Sequence, residues 1–167
     1  MMSKKNQHNS DLYNTLLILS RNIFFYKNIK KSDTFETRLY LMFFHFSILM
    51  IVFKKKEKKF DQKSYDNFFH NIENNLRELG FGDIAVNKKM KTFNKILYDI
   101  LLKLEINAKD PNTIRINSKI VSKYFNELNN PKSNIFIEFE RYFVNFFNFC
   151  FELSIDNMIK GSIKFKL

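Results

Sequence analysis

The sequence predicts an all-α protein, a single compact helical domain of about six helices with a short extended C-terminal tail. Three observations carry that expectation. Three glycines and two prolines in 167 residues are too little turn chemistry for an all-β sandwich. Hydrophobic residues make up 45% of the chain and 21 residues are phenylalanine, which is more core material than a disordered chain carries. Apolar residues also recur every three to four positions, the spacing of one helix face. A chain of this length forms one domain that buries about two-thirds of its unfolded surface. Residues 1–9 are expected as a flexible N-terminus and 10–167 as the domain.

The first helix is expected to start near Ser10 and Asp11, with Leu12, Leu16, Leu19 and Ile23 on one face. Asp33-Thr-Phe-Glu36 has the spacing of a capping box and announces a second helix running to about Phe53. Apolar residues lie all round that helix, so it should be the central one. A third helix puts Tyr65, Phe68, Phe69, Ile72, Leu76 and Leu79 on one stripe and ends on Gly80, a natural residue after a helix C-terminus. The fourth takes Asn87 as N-cap and turns Met90, Phe93, Leu97, Ile100 and Leu104 inward.

After the break at Asp110-Pro111, a fifth helix between Thr113 and Leu128 presents Ile116, Ile120, Tyr124 and Leu128. The sixth opens at Asn130-Pro131, with proline at the first helical position, and runs to about Leu153. The tail after Gly161, SIKFKL, alternates enough to be extended. The longest apolar run, LYLMFFHFSILMIVF at 39–53, is shorter than the ~20 residues a bilayer span needs. It reads as a buried helix. The opening MMSKKNQHNS has the pattern of neither a secretory signal nor an Arg-rich transit peptide.

A formal net charge of +11 points to an anionic partner, and nucleic acid, ribosome, acidic lipid and acidic protein all meet that description. The Lys-, Asn-, Ile- and Phe-rich usage also looks like the signature of an AT-rich genome, an alternative source of the basicity. Two basic sites differ in meaning. Lys54, Lys55, Lys56, Lys58 and Lys59 follow the second helix, where the macrodipole favours cations; they are candidates for membrane or anion contact. Lys88, Lys89 and Lys91 fall in the first turn after Asn87, where cations oppose the dipole and a helix start binds anions. These three are the sharper partner-binding candidates.

No chemistry-bearing motif is present. The chain lacks GxSxG, a P-loop, HExxH and any Cys pair at metal spacing, so no enzyme activity, metal, cofactor or small-molecule substrate is expected. The single Cys150 reads as a small buried hydrophobe, and His45 as a satisfied core histidine. His70 and Glu73 stand one turn apart on a solvated face. In the sixth helix the apolar residues cover roughly 240° of the wheel. That breadth leads us to expect part of its aromatic face, Phe136, Phe139, Phe143 and Phe147, to form an exposed partner-binding groove or patch.

Residues 76–91, LRELGFGDIAVNKKMK, are the most specified stretch: a helix ends on glycine, turns through Gly82-Asp83, and another helix opens with lysines. Extended to 76–101, this stretch resembles the ubiquinol–cytochrome c chaperone family, which shows a similar LRE-G-GD-V-K-K pattern. The apolar segment 38–53 with its internal His45, the opening LYNTLLILSRNIFFYKNI and the closing GSIKF resemble that family too. The resemblance implies a non-enzymatic assembly chaperone of the cytochrome bc1 complex that binds newly made cytochrome b. It puts Arg77, Glu78, Gly80, Gly82 and Asp83 with the lysines in the partner-binding set. It also implies an anionic membrane surface or ribosome, and a small helical co-chaperone, as further partners. The implied location is the bacterial cytoplasm, peripheral to the inner membrane, or the matrix side in a eukaryote. The competing reading is a basic helical adaptor at a membrane or on RNA, with no part in cytochrome b assembly.

Overall fold

The computed structural model describes residues 4–106 and 114–166. In chain order the elements are α1 (Lys4–Ser20), α2 (Ile23–Lys27), α3 (Phe35–Lys55), α4 (Gln62–Glu78), α5 (Asp83–Ile106), α6 (Ser118–Tyr124), α7 (Asn134–Phe151) and α8 (Ile155–Gly161), with 3-10 turns at Asn126–Leu128 and Ser162–Lys164. The described residues contain no strand, and the fold is all-α. Residues 4–9, expected in the flexible N-terminus, are helical.

The central position of α3 follows from its sequence. Apolar side chains surround it, and α1, α5, α7 and α8 pack against it. Leu41, Phe43, Phe44, Phe46, Ile48 and Val52 are all fully buried, each such burial contributing about 1.5–3 kcal/mol before entropy. By length and composition α3 could cross a membrane, yet most of it lies inside the protein. Its cap sits one residue later than the capping-box pattern suggested: Thr34 Oγ1 accepts from the Thr37 N–H at 3.1 Å. At the other end Glu57 takes the left-handed conformation, φ 57°. The Glu57 and Lys58 N–H groups bond back to the Lys54 and Phe53 carbonyls at 3.0 and 2.9 Å, a Schellman closure.

Other boundaries moved for local reasons. The Asn22 side chain accepts from the Phe24 N–H at 3.0 Å, which starts α2 afresh and leaves Ile23 60% exposed instead of on the core face. Asn117 caps α6 at Lys119, 2.8 Å away, so that helix is far shorter than expected; Asp110-Pro111 and Thr113 lie outside the described residues. Ser133, not the Asn130-Pro131 pair, caps α7, its Oγ accepting from the Phe136 N–H at 3.2 Å. Pro131 falls in the preceding turn.

The C-terminal tail is coiled rather than extended. Ser162 Oγ donates to the Ile159 carbonyl at 2.9 Å. The 3-10 turn then delivers Phe165 edge-on to Tyr142 and Phe146, ring centroids 5.2 and 5.5 Å away. Burying that ring outweighs the β-like alternation of SIKFKL. The unforeseen α8 closes tightly, since a β-carbon on Gly161 would stand 3.1 Å from Leu153 Cδ1.

Candidate functional site

The segment 76–91 folds as a rigid corner between α4 and α5. Gly80 has φ +96°, a region open to glycine at little cost. Its N–H bonds the Arg77 carbonyl at 3.0 Å and the Phe81 N–H bonds the Leu76 carbonyl at 3.2 Å. These two bonds are the Schellman pair that satisfies the last carbonyls of α4. Arg77 then ties the corner together, its guanidinium binding Glu73 in its own helix at 3.0 Å and Asp83 at the start of α5. Gly82 precedes α5 and leaves its own side open, while Glu78 is exposed beside the turn.

The helix boundary changes the meaning of the lysines. Because α5 begins at Asp83, Asn87 is not its cap, and Lys88, Lys89 and Lys91 lie beyond the first turn. The residue that meets the helix start is Asp83, an acid where the macrodipole favours one. No conflict with the dipole exists, and the anion-site argument for the three lysines fails. Lys89 has a local role: its Nζ stands 4.7 Å from the centroid of the Phe81 ring. Lys88 and Lys91 remain exposed.

The corner displays apolar groups that the sequence pattern did not single out. Leu79, expected on the inward stripe of α4, is 60% exposed. Phe81 and Ile84 are 39% and 87% exposed. Leu79 borders a groove of about 370 Å³ between α1, α3 and α4, floored by Leu17, Leu39, Met42 and Ile72 and flanked by Arg21 and Arg38. The available signal was positional: Phe81 and Ile84 fall off both neighbouring helical stripes and have no inward place to go.

The basic run at the C-terminal end of α3 is largely engaged. Lys54 pairs with Glu105 of α5 at 3.6 Å. Lys56 donates to the Leu153 carbonyl at 2.5 Å and lies over the Phe151 ring. Lys55 lies over Phe147, 5.2 Å from its centroid. Of the five, Lys58 and Lys59 project as exposed side chains with no acid paired to them among the described residues. The run therefore docks α3 against α5 and α7 more than it forms a free cationic patch.

The expected aromatic patch on α7 is core. Phe136 is 4% exposed, and Phe139, Phe143 and Phe147 are fully buried. Phe139 and Phe143 pack against Phe44 of α3 and Phe25 of α2 with ring centroids 5.5–6.3 Å apart, mostly edge-on or tilted. The apolar arc of α7 is broad, and α3, α2 and the C-terminal turn cover it. These four phenylalanines are unavailable to a partner in the folded protein.

His45 is completely buried, as expected for a core histidine. Burial lowers its pKa to about 3, only partly offset by its bond to the Leu41 carbonyl. Burial also pushes the Cys150 thiol well up. Among the described residues no cluster of His, Cys, Asp or Glu has the make-up of a metal site. The corner combines a hydrogen-bonded Schellman turn, exposed apolar side chains and an adjoining groove.

The family model described as ubiquinol–cytochrome C chaperone matches residues 27–126. No curated protein and no solved structure matches the chain. The matched span covers more than half the sequence and contains α3 through α6, with the Schellman corner and its Arg77 tie inside it. The chain belongs to the ubiquinol–cytochrome c chaperone family.

Proposed function

We propose that this protein is a non-enzymatic assembly chaperone of the cytochrome bc1 complex that holds newly made cytochrome b. Family membership supports the assembly role in general terms. The observation that carries the finer reading is the exposure of Leu79 and Phe81 on a corner held rigid by Gly80 and Arg77. A preorganised apolar tip beside a groove loses little entropy on capture. It suits an apolar client segment awaiting its final partners, and the work takes place at the cytoplasmic side of the inner membrane.

Deleting the gene should lower assembled bc1 complex without lowering its transcripts. A copy carrying Leu79→Ser and Phe81→Ser should accumulate as folded protein, yet fail to restore the complex or to co-purify with cytochrome b from detergent extracts. Full restoration by that copy, with undiminished co-purification, rules the corner out. Normal complex levels after deletion rule out the assembly role itself.

A further inference from the structure

The outer face of α5 carries a stripe that starts at Ile84 beside the corner and does not include the Leu79 and Phe81 proposed to meet the client. Ile84, Lys88, Lys91, Lys95, Tyr98 and Leu102 follow one another at spacings of three and four, and every one of them is exposed. On a 100° wheel they fall within roughly 40° of one line, opposite Phe93, Leu97, Ile100 and Leu104. Lys88, Lys91 and Lys95 have no side-chain partner among the described residues. The acids that flank the line are already neutralised: Asp99 binds Lys123 at 2.8 Å and Glu105 binds Lys54 at 3.6 Å. Beside Asp99 lies a recess of about 190 Å³ whose other charged lining residues are Lys103, Lys119 and Lys123.

We propose that the outer face of α5 is a docking surface for an anionic lipid bilayer. The three lysines meet lipid phosphates, the recess adds cations at one side, and Ile84 and Leu102 anchor the two ends in the interface. From Ile84 to Leu102 the face spans about 27 Å, long enough to lie along a headgroup layer. Charge complementarity selects the occupant. A surface whose lysines are free and whose acids are paired attracts a dense anionic plane, and the apolar residues at its ends give no advantage on a purely ionic ligand. Long lysine stems let the ammonium groups reach phosphate while the helix sinks slightly.

The test uses the intact chain in flotation with phosphatidylcholine vesicles, with and without phosphatidylglycerol. Wild type should float only with the anionic vesicles and lose binding as salt rises. The K88E/K91E/K95E variant should bind on the order of 100-fold more weakly, at roughly tenfold or less per lysine. K58E/K59E/K63E makes the same change in net charge on another surface and should bind nearly as well as wild type. Leu102→Trp gives the chain its sole tryptophan, whose emission should shift to the blue on anionic vesicles. Thermal melts of each variant separate lost docking from lost folding. Wild type that ignores anionic vesicles, a stripe variant that binds undiminished, equal or greater loss in the Lys58 variant, or an unshifted tryptophan spectrum in the Leu102→Trp protein each overturns the proposal. So does a stripe that binds RNA and not vesicles. Client capture is measured in detergent, so its failure and the failure of lipid docking are read separately.

Discussion

His45 of α3 and Tyr142 of α7 are joined by a side-chain hydrogen bond buried in the aromatic core, Nε2 to Oη at 2.8 Å. On the other side of the ring, Nδ1 lies 2.6 Å from the Leu41 carbonyl. A carbonyl can only accept, so Nδ1 carries the proton and Nε2 accepts from the tyrosine hydroxyl. Phe25, Phe143 and Phe146 present ring edges to the imidazole at 4.9–5.8 Å. The pair thus fixes the register of two helices while leaving no polar atom of the ring unsatisfied.

Acid should unfold the protein through this histidine. Its pKa falls from 6.5 to about 3 on folding, so between those values the unfolded chain takes up a proton that the native one does not. The contribution of neutral His45 is complete above pH 6.5 and declines as pH drops toward 3. The slope is about 1.4 kcal/mol per pH unit. Urea midpoints across roughly pH 4–7 should show that decline, and His45→Gln should flatten it.

Tyr142→Phe leaves the Nε2 lone pair buried without a donor. The cost should be about 1–3 kcal/mol at neutral pH, read as a fall in the denaturation midpoint. A silent substitution would mean that the hydroxyl is not the donor.

The α7 phenylalanines distinguish a core from a surface. Phe143→Ala should destabilise by about 3–5 kcal/mol, because the ring is fully buried against α2 and α3. Ile137 on the same helix is 41% exposed, and Ile137→Ala should fall within about 0.5 kcal/mol of wild type. Equal, small effects would return Phe143 to the surface.

Two left-handed residues make opposite predictions. Gly80→Ala places a side chain at φ +96° and should cost about 1 kcal/mol. Glu57→Gly relieves the same strain at φ 57° and should raise stability by about 0.5 kcal/mol after the added unfolded-state entropy. Calorimetric midpoints should move in opposite directions, by about 2–4 °C per kcal/mol.

Cys150 is fully buried with its thiol pKa raised by burial, and the thiolate is the reactive form. The native protein should therefore resist alkylation by iodoacetamide at about pH 8, and the urea-unfolded chain should react promptly. Rapid native labelling would show that the α7 core opens readily.

Much of the fold was legible because helix signals are local. The period of Phe68, Ile72 and Leu76, the glycine after Leu79, and the all-round apolarity of 39–53 each identify an element from neighbouring residues alone. The candidate site was legible only in part. The corner, Arg77 and Asp83 lie in the motif, but Asn87 offered a plausible cap that Gly82 and Asp83 pre-empted. Moving the start of α5 back to Asp83 placed an acid at the positive helix end and removed the apparent electrostatic conflict.

Local chain chemistry was therefore enough for the all-α class, the apolar faces, the Schellman corner at Gly80 and the family. Which of those faces is covered came from packing between distant segments. Periodicity states how wide an apolar arc is, but burial depends on how many neighbours pack against it, and those come from remote parts of the chain. For α7 the neighbours are α2, α3 and Phe165, so the expected patch became core. For the corner no remote element among the described residues closes over Leu79, Phe81 and Ile84, and all three stay exposed, Phe81 least. The lysines of 76–91 likewise take their meaning from placement: Lys89 covers a phenylalanine, while Lys88 and Lys91 face outward from α5.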